Sequence, residues 1–120
     1  MKSSQGIADF KIINRIFIIR DKKVMFDFDL SLLYGVETKQ LKRQVRRNLD
    51  RFPEDFMFIL TQAEYRSLRS QIGTIKRGEH SKYLPYAFTE QGVAMLSSIL
   101  SSKKAIAVNI QIIRVFTRMR

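Results

Sequence analysis

The chain has no cysteine, no tryptophan and a single histidine. Without cysteine there is neither a disulfide framework nor a thiolate metal site, and a reducing compartment suits the composition. His80 stands among polar residues with no second histidine to share a metal, so neither a metal centre nor general-base chemistry is expected. Proline occurs twice and glycine five times, too seldom for long disordered stretches. No apolar run is long enough to span a bilayer. Lys11, Asn14 and Arg15 break up the opening MKSSQGIADFKIINRIFIIR, so no secretory signal is expected. A soluble cytoplasmic protein without a membrane partner follows as the expectation.

Acidic residues are also scarce. Eleven Asp and Glu face 22 Lys and Arg, a formal charge of +11 over 120 residues. A small domain at that charge repels itself, which points to a polyanionic partner, nucleic acid first and anionic membrane second. The acids Asp27, Asp29, Glu54, Asp55 and Glu90 sit at expected helix starts and turns, where capping explains them. No glycine-rich phosphate loop is present. The composition therefore implies no enzymatic activity, no cofactor and no small-molecule substrate.

What is present suits one domain. Hydrophobic residues make up 45%, with nine Phe and four Tyr to fill a core. Residues 1–9 read as a flexible start and residues 10–120 as a single domain. Ile16–Ile19 and Val24–Phe26 predict a hairpin turning at Asp21-Lys22. Asp27 or Asp29 can cap a short helix through Leu30, Leu32 and Leu33, stopped by Gly35. Thr38 can cap a second helix, with Leu41, Val45 and Leu49 as its buried stripe. Phe56–Leu60 reads as a buried strand, and Thr61 with Glu64 as a capping box. Pro85 keeps YLPYAF extended, and Thr89 caps a helix burying Val93, Leu96 and Leu100. A last helix runs from about Lys103, so residues 89–120 form a helical C-terminal part.

Residues 29–49 fit a helix-turn-helix, with Val36 facing inward. With Leu41 and Val45 buried, Lys39, Lys42, Arg43, Arg46 and Arg47 fall on the outer side or its margins. From Thr38 to Arg51 there are six cations and one acid, Asp50. An ordinary solvated helix mixes both signs to form spaced ion pairs. In a recognition helix, Thr38, Lys39, Gln40 and Arg43 would reach base edges, where Arg matches guanine and Gln matches adenine. Arg46, Arg47 and Arg51 suit phosphates. Lys76 and Arg77, in the Ser70–Lys82 loop, could touch phosphates as a wing, or the loop could simply be solvated.

On the last helix Ile106, Ile110, Ile113 and Phe116 form one apolar stripe. Val108, Ile112, Val115 and Met119 form another. An arc that wide exceeds one core contact, so the first stripe is the expected interface of a homodimer. Phe26, Phe52, Phe56, Phe58 and Phe88 lie in apolar runs and read as core, although single-strand binders stack bases on such residues.

The run KKVMFDFDLSLLYGVETKQLKRQVRRNLDRFPEDFMFIL, with YLPYAFTEQGVAMLSSIL and AIAVNIQIIRVFTRMR, closely resembles the "open reading frame six" N-terminal domain of phage and prophage proteins. That family is related to KilA-N and Bro-N domains. Val24-Met25, Leu33–Val36, Arg47-Asn48, Arg51–Phe56 and Phe88–Gly92 carry the likeness, which covers Ile16 to Arg120. Ser31 stands where relatives often carry alanine, a change small enough for a close helix crossing. The resemblance implies a double-stranded DNA-binding module of an antirepressor or transcriptional regulator, often joined to a further C-terminal domain. The expected fold is α+β: a small winged-helix-like helix-turn-helix domain with a short β-hairpin or sheet and C-terminal helices. Two other readings share the cations: an RNA or single-strand binder, and a module that binds a repressor protein directly.

Overall fold

A computed structural model describes residues 8–72 and 83–120 of the chain. Among these residues are six α-helices and a four-stranded antiparallel sheet, a mixed α+β fold as expected. The first helix, α1 (Asp9–Ile13), begins at the last residue of the expected flexible start and was not among the expected elements. At five residues it is too short to show a periodic signal. Strands β1 (Phe17–Ile19) and β2 (Lys22–Phe26) form the hairpin. Its loop residues are Arg20 and Asp21, with φ of 55° and 64°. Paired positive φ values make a tight hairpin turn, one residue earlier than Asp21-Lys22. The Arg20 guanidinium forks onto both carboxylate oxygens of Glu64 at 2.9 and 3.0 Å and lies 4.2 Å from the Phe58 ring centroid.

Helix α2 (Asp27–Tyr34) follows β2 directly. It ends at Gly35, whose φ of +78° lets the Gly35 and Val36 amides both donate back to the Ser31 carbonyl. Helix α3 (Thr38–Arg47) begins after only Gly35, Val36 and Glu37. A short 3-10 turn at Leu49–Arg51 leads into β3 (Met57–Ile59). Next comes α4 (Gln62–Ile72), opened by the expected capping box: Thr61 N donates to Glu64, and Glu64 N donates to Thr61 Oγ1. Strand β4 (Tyr86–Phe88) precedes α5 (Glu90–Leu96), and α6 (Lys103–Arg118) ends the chain.

The sheet order is β1-β2-β4-β3, and its register sorts the side chains onto two faces. Met25, Phe88 and Met57 align across three strands and face a large core with α2, α3, α5 and α6. Phe26, Ala87 and Phe58 align on the other face, against Tyr65 and Leu68 of α4. Period-two alternation is the reason, since one sheet supplies two cores. Phe26, Phe52, Phe58 and Phe88 are all buried and Phe56 is half-buried, as core residues should be.

Four apolar residues depart from expectation. Leu32 is 64% exposed, because Leu30 and Leu33 already point α2 at the core. Val36 is exposed in the turn rather than facing inward. Leu49 is 56% exposed, because α3 stops at Arg47 and the four-residue stripe ends with it. Phe116 is 2% exposed and belongs to the chain's own core, not to a subunit interface. The spacing 106, 110, 113, 116 slides around a helix by about 80° over ten residues, carrying its last member inward. Of that stripe Ile106 and Ile110 are exposed, while Ile113 is half-buried against the core.

Candidate nucleic-acid interface

Helix α3 carries five cations and no acid. Leu41 and Val45 fasten one side to the core. At about 100° per residue this turns Arg43 directly outward, with Lys39 and Arg46 on one flank and Gln40 and Arg47 on the other. All five are exposed, and no ion pair engages Lys39, Arg43, Arg46 or Arg47 among the described residues. Arg46 makes only a long contact, 3.4 Å, to the Tyr86 hydroxyl. Thr38 does not cap the helix. The capping position is Glu37, whose side chain accepts no capping hydrogen bond, and Thr38 is the first helical residue. The first-turn amides of α3 thus lack a side-chain partner.

Lys42 is not part of this surface. Its side chain is 12% exposed and its ammonium lies 3.2 Å from Asp27 Oδ2, itself 2% exposed. The same ammonium donates to the Leu84 carbonyl at 3.1 Å and sits 5.0 Å from the Tyr86 ring centroid. Asp27 also accepts from the Phe28 and Tyr86 amides at 2.7 and 3.0 Å. Burial pushes this carboxyl above its ordinary range, and Lys42 and the two amides oppose the push. Lys42 was expected outside because its long stem can lie on either side of a helix margin; here the stem runs inward and the head finds a buried partner. The outcome is a polar pin through α2, α3 and β4, which fixes the rotation of α3 and therefore the direction of Arg43.

A second buried set holds α2 from behind. The Tyr34 hydroxyl donates to Asn109 Oδ1, and Asn109 Nδ2 donates to the Val93 carbonyl, joining α2, α5 and α6. Burial raises the Tyr34 phenol far above its ordinary range. Ser31 is buried and donates to the Asp27 carbonyl at 2.6 Å, so its hydroxyl is satisfied within its own helix. Neither Asn109 nor Tyr86 carried a sequence signal, because each owes its role to a partner distant in the chain.

At the start of α2, Asp29 lies 3.4 Å from Arg15 Nε. Burial pushes its carboxyl up to about 6, Arg15 pulls it down, and Asp27 pushes it up again. A carboxyl with a raised folded-state pKa stabilises fully at low pH and loses that stability as pH rises through the folded value. Denaturant unfolding at pH ~4 and pH ~7 should therefore show a loss at the higher pH, at most on the order of 3 kcal/mol from Asp29. Asp29→Asn should flatten the slope; an unchanged slope in that variant would refute the assignment. Glu64 behaves oppositely. The Arg20 fork holds it down to about 2, so its contribution is lost only as pH falls below the ordinary carboxylate range.

Of the other expected contacts, Arg51 is exposed in the 3-10 turn beyond α3, while Lys76 and Arg77 lie outside the described residues. Lys42 hydrogen-bonds Leu84, just before β4, whereas the β1–β2 turn lies at the far end of β2. The described residues hold no cluster of three or more His, Cys, Asp or Glu suited to a metal, and no helix long and apolar enough to cross a membrane.

Residues 14–99 match the ORF6N domain. The chain belongs to the ORF6N family. This is a phage-associated domain family. No curated protein and no solved structure matches the chain. The ORF6N match takes in α2, α3 and the whole sheet and stops before α6. Yet α6 supplies Val108, Ile112, Val115 and Phe116 to the same core as the matched helices.

Proposed function

We propose that this ORF6N domain binds double-stranded DNA through the outer face of α3, without enzymatic chemistry, as a regulatory module. The observation that carries the reading is the exposed set Lys39, Arg43, Arg46 and Arg47 on a helix pinned from within by Lys42. Four cations that no carboxylate pairs among the described residues, on a support that holds their direction, suit a polyanion better than solvent alone. The α2–turn–α3 unit, joined by three residues including a glycine, is read as a helix-turn-helix with α3 in the major groove. On a matching site Arg43 and Gln40 then face base edges and Arg46 and Arg47 face phosphates; on random duplex Lys39 and Arg43 fall on phosphates as well. The burial of Phe26, Phe58 and Phe88 disfavours the single-strand alternative, since these rings are not available for stacking. Exposed Ile106 and Ile110 support pairing of two chains, so that two α3 helices meet two half-sites.

On random duplex the four cations of α3 by themselves predict a slope of log affinity against log salt of about −3.6 per chain. Arg43→Ala/Arg47→Ala should bind random duplex DNA ~10- to 100-fold more weakly near 100 mM salt, with a slope shallower by about 1.8 and unfolding unchanged. Arg66→Ala/Arg69→Ala, on α4, serves as the control and should bind like the native chain. Equal losses in the two variants would show a diffuse charge effect and sink the assignment to α3.

A further inference from the structure

A groove runs between α3 and the chain leading into α6. Gln40, Arg43 and Arg47 line one wall; Leu100, Ser101 and Ser102 line the other. No acid lines it. Glu37, the acid preceding α3, borders a separate depression with Phe28 and Lys39. Where the groove meets α6, the first turn of that 16-residue helix opens on Lys103 and Lys104 and holds no acid. A cation there opposes the positive end of the helix dipole, so folding alone disfavours the pair. Both lysines are exposed, with no ion pair among the described residues. The Lys104 ammonium reaches back to the α2–α3 turn, 3.4 Å from where a Cβ on Gly35 would stand. Neither lysine lines the groove itself, but Ser102 and Ala105 on either side of them do, so Lys104 at the turn before α3 and Lys103 next to it at the rim extend the positive outer face of α3 onto α6.

We propose that this groove is a second phosphate track, in which the backbone of the bound duplex passes between α3 and α6 and is held by Lys103 and Lys104 opposite Arg43 and Arg47. The proposal rests on the reading of α3 as the DNA-facing helix. It carries the footprint beyond residue 99, where the ORF6N match ends, and gives α6 a binding role besides its packing role. It also accounts for two cations at a helix start that would suit acids better: the incoming phosphates supply the missing negative charge.

The test uses the whole chain with Lys103→Gln/Lys104→Gln, measuring affinity for random duplex DNA over a salt series alongside thermal unfolding. With the track the native slope should be about −5.4 and the variant should return to about −3.6, affinity near 100 mM salt should fall ~10-fold, and the unfolding midpoint should be no lower than in the native chain. Lys103→Gln alone, which leaves the Lys104 contact beside Gly35 in place, should show about half the change in slope and guards against a folding defect in the double variant. A native chain that binds in a salt-dependent way, beside variants with that same slope, would overturn the track and leave the role of α3 standing. A native chain with no salt-dependent binding would overturn both.

Discussion

Replacing Lys42 with methionine should cost about 3–5 kcal/mol of folding stability, because it strands a buried carboxylate. Asp27 would keep the Phe28 and Tyr86 amides but lose the only cation that reaches it within ion-pair distance among the described residues. The loss should depend on pH with a definite sign. Burial already raises Asp27, and removing Lys42 raises it further. A raised carboxyl loses stability as pH increases, so Lys42→Met should be worst near neutral pH and recover part of the loss in mild acid. Adding Asp27→Asn should also return part of it, since no buried charge then remains. Urea unfolding of the native chain and the two variants at pH ~4.5 and pH ~7 reads all of this. A neutral Lys42→Met would mean that the pin does not hold α3. An expectation of DNA contact alone predicts the opposite pattern, normal stability with weakened binding.

Gly92→Ala should be comparably damaging, although helix propensity predicts a gain of about 1 kcal/mol. Gly92 lies inside α5, and a Cβ there would stand 1.9 Å from the Phe56 carbonyl oxygen and 2.8 Å from its carbon. Both are backbone atoms and cannot swing aside. The contact is tight because Thr89 clamps the same carbonyl. Its amide donates to Phe56 O at 3.0 Å, and its hydroxyl donates to Asp55 O at 2.7 Å while accepting from the Gly92 amide. Seating a methyl group means prising α5 from the segment before β3, at ~3 kcal/mol or more. Gly92→Ala measured by denaturant unfolding should thus be strongly destabilised; a stabilised variant would contradict the close approach. The runs Arg51–Phe56 and Phe88–Gly92, which carry much of the family likeness, meet each other at this joint.

Local signals between neighbours survived folding in part: neither Thr38 nor Asp27 or Asp29 caps its helix, the capping positions being Glu37 and Phe26, but others held. The Thr61–Glu64 box, the Gly35 stop and the Thr89 cap each need only adjacent residues, and each formed. The alternation in VMF and YAF sorted the sheet faces because two-residue periodicity leaves little choice. What remained hidden depended on distant partners. Nothing around Lys42 announces that Asp27, Leu84 and Tyr86 converge on it, and a stripe drawn through Ile106 and Phe116 ignores the slide of a 3.6-residue helix. Gly92 reads as a weak helix residue until the Phe56 backbone is seen against it. For the candidate site, Lys39, Arg43, Arg46 and Arg47 were legible as outward from spacing while Lys42 was not, and the position of Lys104 beside the α2–α3 turn depended on how α6 packs.

The central claim, that the outer face of α3 is where duplex DNA sits, is tested most directly by backbone amide NMR of the native chain as a short random duplex is titrated at low salt. The account predicts the largest shift changes at Thr38–Gln40, Arg43 and Arg47, with further changes at residues 101–104 and little change along α4. Changes centred on α4 or on the Ile106–Ile110 edge, with α3 silent, would contradict it.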